Sequence, residues 1–298
     1  MSISPKAGRS AYGAASARVM EMFEAPSLRL FEDELVIDLL PPFARFMLRR
    51  AWIRAWFKNW FERQAPGIRG ALLCRTRSID DMVRAGLARS LRNVVILGAG
   101  LDTRAYRLPE LATARVFELD LPHVQASKRE RLSRALVASE SHVRFVPIDF
   151  NVEPFDTALT ASGFDASQPA LFIWEGVTQY LQPAAVDAVL RTIASLAPGS
   201  ELVFTYVLEE AVTGRFRADR SEDFRKVTSR LPEPWLFGID PSNLQGFLAD
   251  RGLVLCEELG AEQHIARYLQ PIHRELTVSQ IERIARASLA PRPAPLVR

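Results

Sequence analysis

A chain of 298 residues, 48% hydrophobic and 24% charged, is long enough for one large domain or for a core domain with an elaboration. Its composition excludes a disordered or low-complexity protein, and two distant cysteines, Cys74 and Cys256, exclude a disulfide framework and a cysteine metal cluster. With no apolar leader at the N-terminus, the expected location is cytoplasmic. The formal charge of +3 is mild but uneven: residues 1–75 hold 12 Lys/Arg against 7 Asp/Glu, a front piece suited to an anionic substrate, a membrane surface or RNA.

Residues 1–92 carry no strand pattern and read as helices over about 12–24, 32–40, 43–63 and 76–90. The third is unusual. Between Phe43 and Phe61 seven aromatic residues sit among five basic ones, and Ile53, Trp56, Phe57, Trp60 and Phe61 recur at the spacing of one helical face. The ordinary reading is a cap helix buried against the catalytic domain. A second is the wall of a pocket for a large apolar acid, with Trp56 and Trp60 touching substrate. A third, a membrane-surface helix, is weakened because Arg50 and Arg54 border the apolar face instead of opposing it. The five basic residues also exclude a transmembrane span here.

From residue 93, short apolar runs alternate with amphipathic stretches. Strands are expected at 93–97, 115–119, 143–148, 170–174, 201–207, 253–259 and 264–269. The spacers between the first four are long enough for crossover helices, which predicts a parallel sheet. Pro183 opens a helix whose Val186, Val189, Leu190, Ile193 and Leu196 recur at helical spacing, and Asp240–Pro241 caps another that Gly252 stops. Gly260 suggests a hairpin joining the last two strands. The polar stretch at about 208–236 reads as a helical insertion serving as a lid, and 291–298 as a flexible tail. The expected architecture is α/β: a doubly wound, mostly parallel, seven-stranded Rossmann-like sheet at 93–290, with a helical N-terminal cap at 1–92.

Four strand ends carry ligand chemistry. In "NVVILGAGLDTRAYRL", Gly98 and Gly100 follow a buried strand, where a tight turn lets backbone approach a ligand. The third glycine of a dinucleotide fingerprint is replaced by Thr103, and Pro109 cuts the following helix short, which argues against NAD. "RVFELD" ends in Glu118 and Asp120, the latter twenty residues after Gly100, where a carboxylate accepts ribose hydroxyls. "VPIDFN" supplies Asp149 and Phe150 for an adenine ring, and "IWEGVTQYL" supplies Glu175 and Tyr180. Any one acidic strand end is more often a cap or a solvated residue. Four in succession favour an adenosine ligand without a pyrophosphate, which is S-adenosylmethionine.

These blocks, with the upstream "RTRSIDDMV" and "SARVMEMFEAPSLRLFEDELVIDLL", resemble the leucine carboxyl methyltransferase family, whose bacterial branch includes O-methyltransferases of natural-product pathways. The resemblance implies a class I methyltransferase sheet and a set of roles. Arg75 would hold the carboxylate of S-adenosylmethionine, Gly98 and Gly100 would admit its methionine and ribose portions, and Asp120 would accept the ribose hydroxyls. Asp149 and Phe150 would frame adenine, Glu175 would lie near the amino group, and Tyr180 near the transferred methyl. A basic residue near the N-terminus assists in parts of the family; Lys6, Arg9 and Arg18 are the candidates. On the acceptor side, His264 and His273 are candidate bases if the acceptor is a hydroxyl, whereas a carboxyl acceptor needs none.

The expected activity is methylation of a carboxyl or hydroxyl group of a hydrophobic, anionic small molecule, with no metal and no nucleic-acid partner. The alternatives are methylation of a protein C-terminal carboxyl, and a non-catalytic S-adenosylmethionine-binding regulator. The sequence sets no oligomeric state.

Overall fold

The structure is a computed structural model that describes residues 9–135, 142–215 and 234–289. Its centre is a seven-stranded sheet: β1 (Asn93–Leu97), β2 (Arg115–Asp120), β3 (Val143–Pro147), β4 (Ala170–Trp174), β5 (Glu201–Val207), β6 (Leu253–Leu259) and β7 (Glu282–Leu289). The spatial order is β3-β2-β1-β4-β5-β7-β6, with β7 antiparallel between β5 and β6 and the other neighbouring pairs parallel. β1 and β4 are buried along their whole length, as strands covered by helices on both faces must be. Strand order reverses between β1 and β4, so the crevice beyond their carboxyl ends is where a ligand is expected.

Two apolar layers hold the sheet. On one face Phe117, Phe172, Trp174 and Phe204 pack against the helix Pro183–Ala194, whose buried residues are Val186, Val189, Leu190 and Ile193. On the other, Val94, Ile96, Leu171 and Ile173 meet Ile79, Met82, Val83 and Leu87 of the long helix Ile68–Ala88. A third cluster joins that helix to the first one, Arg9–Glu21, through Val19, Met20, Leu73 and Cys74. Burial pushes the Cys74 thiol up to about 12, so it is a packing residue with no thiolate at neutral pH.

The strands expected at 93–97, 170–174, 201–207 and 253–259 are present with those bounds. The seventh is not where it was expected. Residues 264–269 are helical: His264 ends the turn Ala261–His264, and Ile265–Leu269 forms a π-helical turn. The antiparallel partner of β6 is β7, some twenty residues later, so there is no tight hairpin at Gly260. Its sequence, "ERIARASL", has the Ala and Arg content of a helix. It forms a strand because β5 and β6 both offer it ladders, and its Arg283 and Arg286 reach carboxylates on Glu258, Glu201 and Glu257.

The front piece departs from expectation twice. Residues 32–40 hold only a 3₁₀ turn, Glu34–Ile37, and the helix expected over 43–63 breaks in two, Pro42–Leu48 and Ala51–Gln64. Arg50, at φ −89° and ψ 121°, is extended and makes the break. Leu48 and Ile53 are the only residues of these two helices that are buried, so this is not a buried cap helix. Residues 216–233 of the expected lid and the expected tail at 291–298 lie outside the described residues; the short helix Glu209–Thr213 stands at the start of the former.

Candidate functional site

A cavity of about 580 Å³ opens beyond the carboxyl ends of β1, β2 and β4. Its walls include Arg75, Gly98, Gly100, Asp120, Asp149, Phe150, Glu175, Tyr180 and Trp60. Nine residues singled out from sequence, spread over more than a hundred positions, thus come to one place. Trp56 and His264 do not. Trp56 is 61% exposed on the outer side of its helix. His264 is 3% exposed, bonds Ser78 Oγ through Nδ1 at 3.1 Å and stacks on Tyr268. Burial first, then Arg267 and Arg283, hold its pKa down at about 4, so it is a neutral core residue. His273, with φ +51°, is also absent from the cavity wall.

The glycine turn is built around the strand beside it. The N–H groups of Gly98 and Ala99 donate to the Leu119 carbonyl at 2.7 and 3.0 Å. Gly98 has φ +68°, and a Cβ there would lie 2.4 Å from Val177 Cγ2, so no other residue fits. Gly100 donates its N–H to Asp120 Oδ2 at 2.5 Å, and Leu121 N donates to Oδ1 at 2.6 Å. Each Asp120 oxygen is therefore fixed by one backbone donor, leaving acceptor capacity for a ligand. Burial pushes the Asp120 carboxyl above the usual aspartate range, against the pull of these two donors. Glu118, by contrast, points away: its Oε2 is paired with Lys128 at 2.7 Å, both fully buried.

Asp149 Oδ1 accepts from Asn151 N at 3.0 Å, and Phe150 packs beside Phe155 with centroids 6.3 Å apart. Both line the cavity at the end of β3.

The charged wall is an unbroken chain of ion pairs. Arg18 pairs with Asp33 at 2.9 Å, and Arg107 lies 3.7 Å from Asp33 and 2.7 Å from Asp80. Arg104 then joins Asp80 at 2.7 Å, Asp102 at 2.6 Å and Glu175 at 2.5 Å. Arg75 closes it, with Nε on Glu175 at 2.7 Å and Nη1 on both oxygens of Glu282 at 2.8 Å. Burial opposes ionisation of Asp102 and Glu175, but Arg104 outweighs it at Asp102, as do Arg104 and Arg75 at Glu175, so both carboxyls sit below their ordinary range. Four guanidiniums against five carboxylates leave this network one negative charge.

Arg75 is thus committed to two protein carboxylates, with Nη2 as the part of its fork given no such partner. Of the N-terminal basic candidates, Arg18 reaches the wall and is tied to Asp33, Thr103 Oγ1 and the Leu101 carbonyl. Lys6 lies outside the described residues. Sequence reading missed Asp80, Asp102, Arg104 and Glu282. Asp102 and Arg104 stand inside the glycine motif, but the burial of Arg104, 2% exposed, shows only in the structure. Glu282 was hidden because β7 was.

The rest of the cavity is apolar: Trp60, Phe61, Ile68, Leu72, Val207, Trp235 and Ile281. The polar groups of Gln64, Gln179, Tyr180 and Trp235 interrupt it. Trp235 Nε1 and Gln179 Oε1 are buried without a hydrogen-bond partner. Among the described residues no histidine, lysine or cysteine lines the cavity.

A structure from Thermobifida fusca, a methyltransferase by its description, superposes with a TM-score of 0.56 at 20% identity, covering 80% of this chain and 89% of that one, a likeness of fold. A protein of Mycolicibacterium gilvum named for S-adenosyl-L-methionine-dependent methyl transfer is 44% identical over 134 residues, 45% of this chain and 43% of its own. One of Frankia alni with the same description is 30% identical over 240 residues, 75% of this chain and 79% of its own. The chain spans about half the length of several curated relatives it matches. The model of leucine carboxyl methyltransferases matches residues 11–194, which takes in the glycine turn, Arg75, Asp120, Asp149, Glu175 and Tyr180, and the chain belongs to that family.

Proposed function

We propose that the chain is an S-adenosylmethionine-dependent O-methyltransferase that methylates the carboxyl group of a hydrophobic small molecule. The observation that carries this is a cavity whose wall is charged around the glycine turn and elsewhere largely apolar, with no histidine in it among the described residues.

The charged end fits the methyl donor. S-adenosylmethionine carries a sulfonium, an ammonium and a carboxylate, one net positive charge, and the ion-pair network has one negative charge to spare. Asp120, held by Gly100 and Leu121, presents a carboxylate to the ribose hydroxyls, and Phe150 and Asp149 stand where adenine would lie. Glu175 and Glu282 face the ammonium, and the uncommitted Nη2 of Arg75 suits the ligand carboxylate. When bound, the donor supplies an electrophilic methyl on sulfur. Everything else falls to the chain.

The apolar end holds the acceptor and excludes water. A carboxylic acid is already ionised at neutral pH, so no residue need take its proton. Glu175 is held in ion pairs with Arg75 and Arg104, and Glu282 with Arg75, which makes them poor bases for a hydroxyl acceptor. As an anionic acceptor meets the sulfonium their charges cancel, so an apolar wall does not penalise the transition state as it does separated ions. Trp235 Nε1, Gln179 and half-buried Tyr180 offer polar contacts that can aim the carboxylate. Alignment of this kind is worth at most about 7–11 kcal/mol of barrier.

The test is incubation of the whole chain with S-adenosylmethionine and matched pairs of apolar carboxylic acids and alcohols. Acid-dependent formation of S-adenosylhomocysteine with a methyl ester is expected, and no product from the matching alcohols. Methyl ethers formed as fast as esters would overturn the carboxyl reading. Tight cofactor binding with no acceptor-dependent turnover, peptide C-termini included, would make the chain a sensor.

A further inference from the structure

The two helices that break at Arg50 turn their aromatic residues outward. Phe43 and Phe46 on the first are 74% and 57% exposed, and Trp52 and Trp56 on the second are 73% and 61% exposed. Trp60, one turn further, is 44% exposed and also lines the cavity. The inward residues of Ala51–Gln64 include Ile53, Phe57 and Phe61, so this helix is apolar on the side that faces the protein and again on the side that faces water. A folded chain rarely spends four large aromatic side chains on solvent in one place.

The charges around them are one-sided. Arg45 is paired with Asp38 and Lys58 with Glu24, but Arg49, Arg50 and Arg63 are exposed and have no carboxylate partner among the described residues; Arg50 lies over the Phe46 ring at 4.8 Å. No Asp or Glu is among the exposed residues of 42–64. Trp52, Trp56 and Trp60 recur every four residues, so they share one side of the helix over roughly 12 Å of its length.

We infer that this face docks the protein on an anionic lipid surface. Of the two arginines that border the apolar face in sequence, Arg54 folds back onto the Phe23 ring and the Leu48 carbonyl, and Arg50 stands at the break between the helices, so neither interrupts the exposed aromatic face. Tryptophan and phenylalanine there suit the boundary between headgroups and acyl chains, and the exposed arginines at its rim suit lipid phosphate. A second copy of the chain is a poorer occupant, because a two-fold contact through this patch would set Arg49, Arg50 and Arg63 against their own copies. The helices lie on the surface and do not cross: among the described residues no helix is long and apolar enough to span a bilayer. Trp60 joins the face to the cavity, so a molecule leaving the lipid would meet the apolar end first. The docking itself does not depend on what that molecule is.

The test is co-sedimentation of the whole chain with vesicles of phosphatidylcholine alone and of phosphatidylcholine mixed with phosphatidylglycerol. Each basic residue near an anionic surface favours binding about fivefold, so the mixed vesicles should bind the wild type far better, with a blue shift of tryptophan emission. Arg49→Gln with Arg50→Gln should erase most of that preference. Phe43→Ala with Trp52→Ala should cut binding to mixed vesicles at least tenfold with the melting temperature unchanged, since both side chains are exposed. No binding to mixed vesicles, or equal binding by all three proteins, would overturn the inference. So would sedimentation velocity showing a wild-type dimer that the aromatic variant abolishes, which would assign the face to a second copy.

Discussion

Replacing Asp120 by Asn tests the ligand end of the site with little change in shape. Both carboxylate oxygens are fixed from behind, Oδ2 by Gly100 N at 2.5 Å and Oδ1 by Leu121 N at 2.6 Å. An amide keeps one acceptor oxygen; its NH₂ must face either a backbone N–H or the ligand, and cannot accept from either. The variant therefore loses one charge-assisted hydrogen bond to a ribose hydroxyl, worth about 1.5–3 kcal/mol, or on the order of 10- to 100-fold in affinity. A damaged glycine turn could weaken binding as well, so the assay must separate the two causes. Calorimetry with S-adenosylhomocysteine and with its 2′,3′-dideoxy counterpart does so. The wild type should prefer the hydroxylated ligand by that factor, and Asp120→Asn should lose most of the preference. If the variant binds both ligands more weakly by one common factor, the preference survives, and the ribose contact is elsewhere.

Two further predictions concern charge. Arg104→Met removes the cation shared by Asp80, Asp102 and Glu175, and breaking a buried pair costs about 3–5 kcal/mol. Asp102 and Glu175 have folded pKa values below their unfolded ones, so their pairing stabilises fully above the ordinary carboxylate range and is lost progressively as pH falls from there through their lower folded values. The deficit measured by chemical denaturation should therefore shrink on acidification, and a deficit independent of pH would contradict the network. His264 is a base held at about 4 when folded, against roughly 6.5 unfolded. The unfolded chain binds the extra proton between those values, so stability falls by up to about 3 kcal/mol as pH drops from about 7 to about 4. His264→Gln should flatten that fall, and an unchanged slope would place the titration elsewhere.

The sheet was legible where burial and sequence period agreed. β1, β4 and β5 are apolar runs with no competing signal, and their bounds could be read directly. β7 could not. Its alternation of Ile284, Ala285, Arg286 and Ala287 has weak strand propensity, and only the two neighbouring ladders make it extended. The opposite error fell on "HIARYL", whose β-prone residues form a π-helical turn because His264, Tyr268 and Leu269 need to reach one buried side. In the site, the acidic strand ends were legible because each follows a strand. Arg104 and Glu282 were not, since a buried ion pair is a property of two distant positions that neither shows alone. The aromatic helix was misjudged for a related reason. Helical spacing places Ile53, Trp56 and Trp60 on one face but does not say how far round the helix the buried stripe extends; Ile53 is buried, while Trp56 and Trp60 are exposed.

The same distribution of charge explains why the site depends on the front piece. The excess of basic residues at 1–75 is a single number in the sequence, yet the structure divides it between two tasks. Arg18 and Arg75 turn inward to the ion-pair network, while Arg49, Arg50 and Arg63 stay outside. The front piece also supplies Asp33, which lies near Arg107, and Asp80, which pairs with both Arg104 and Arg107. Neither half of the network is satisfied alone: without the front helices, Glu282 loses Arg75, and Arg104 and Arg107 lose Asp80. Unpaired charges at such depth are strongly unfavourable. The front piece also holds the glycine turn, because Arg18 donates to the Leu101 carbonyl and to Thr103 Oγ1. The front helices are therefore part of the cavity wall and not a cover laid over it, and a cation that bound at the charged end would stabilise their attachment as much as they would hold it.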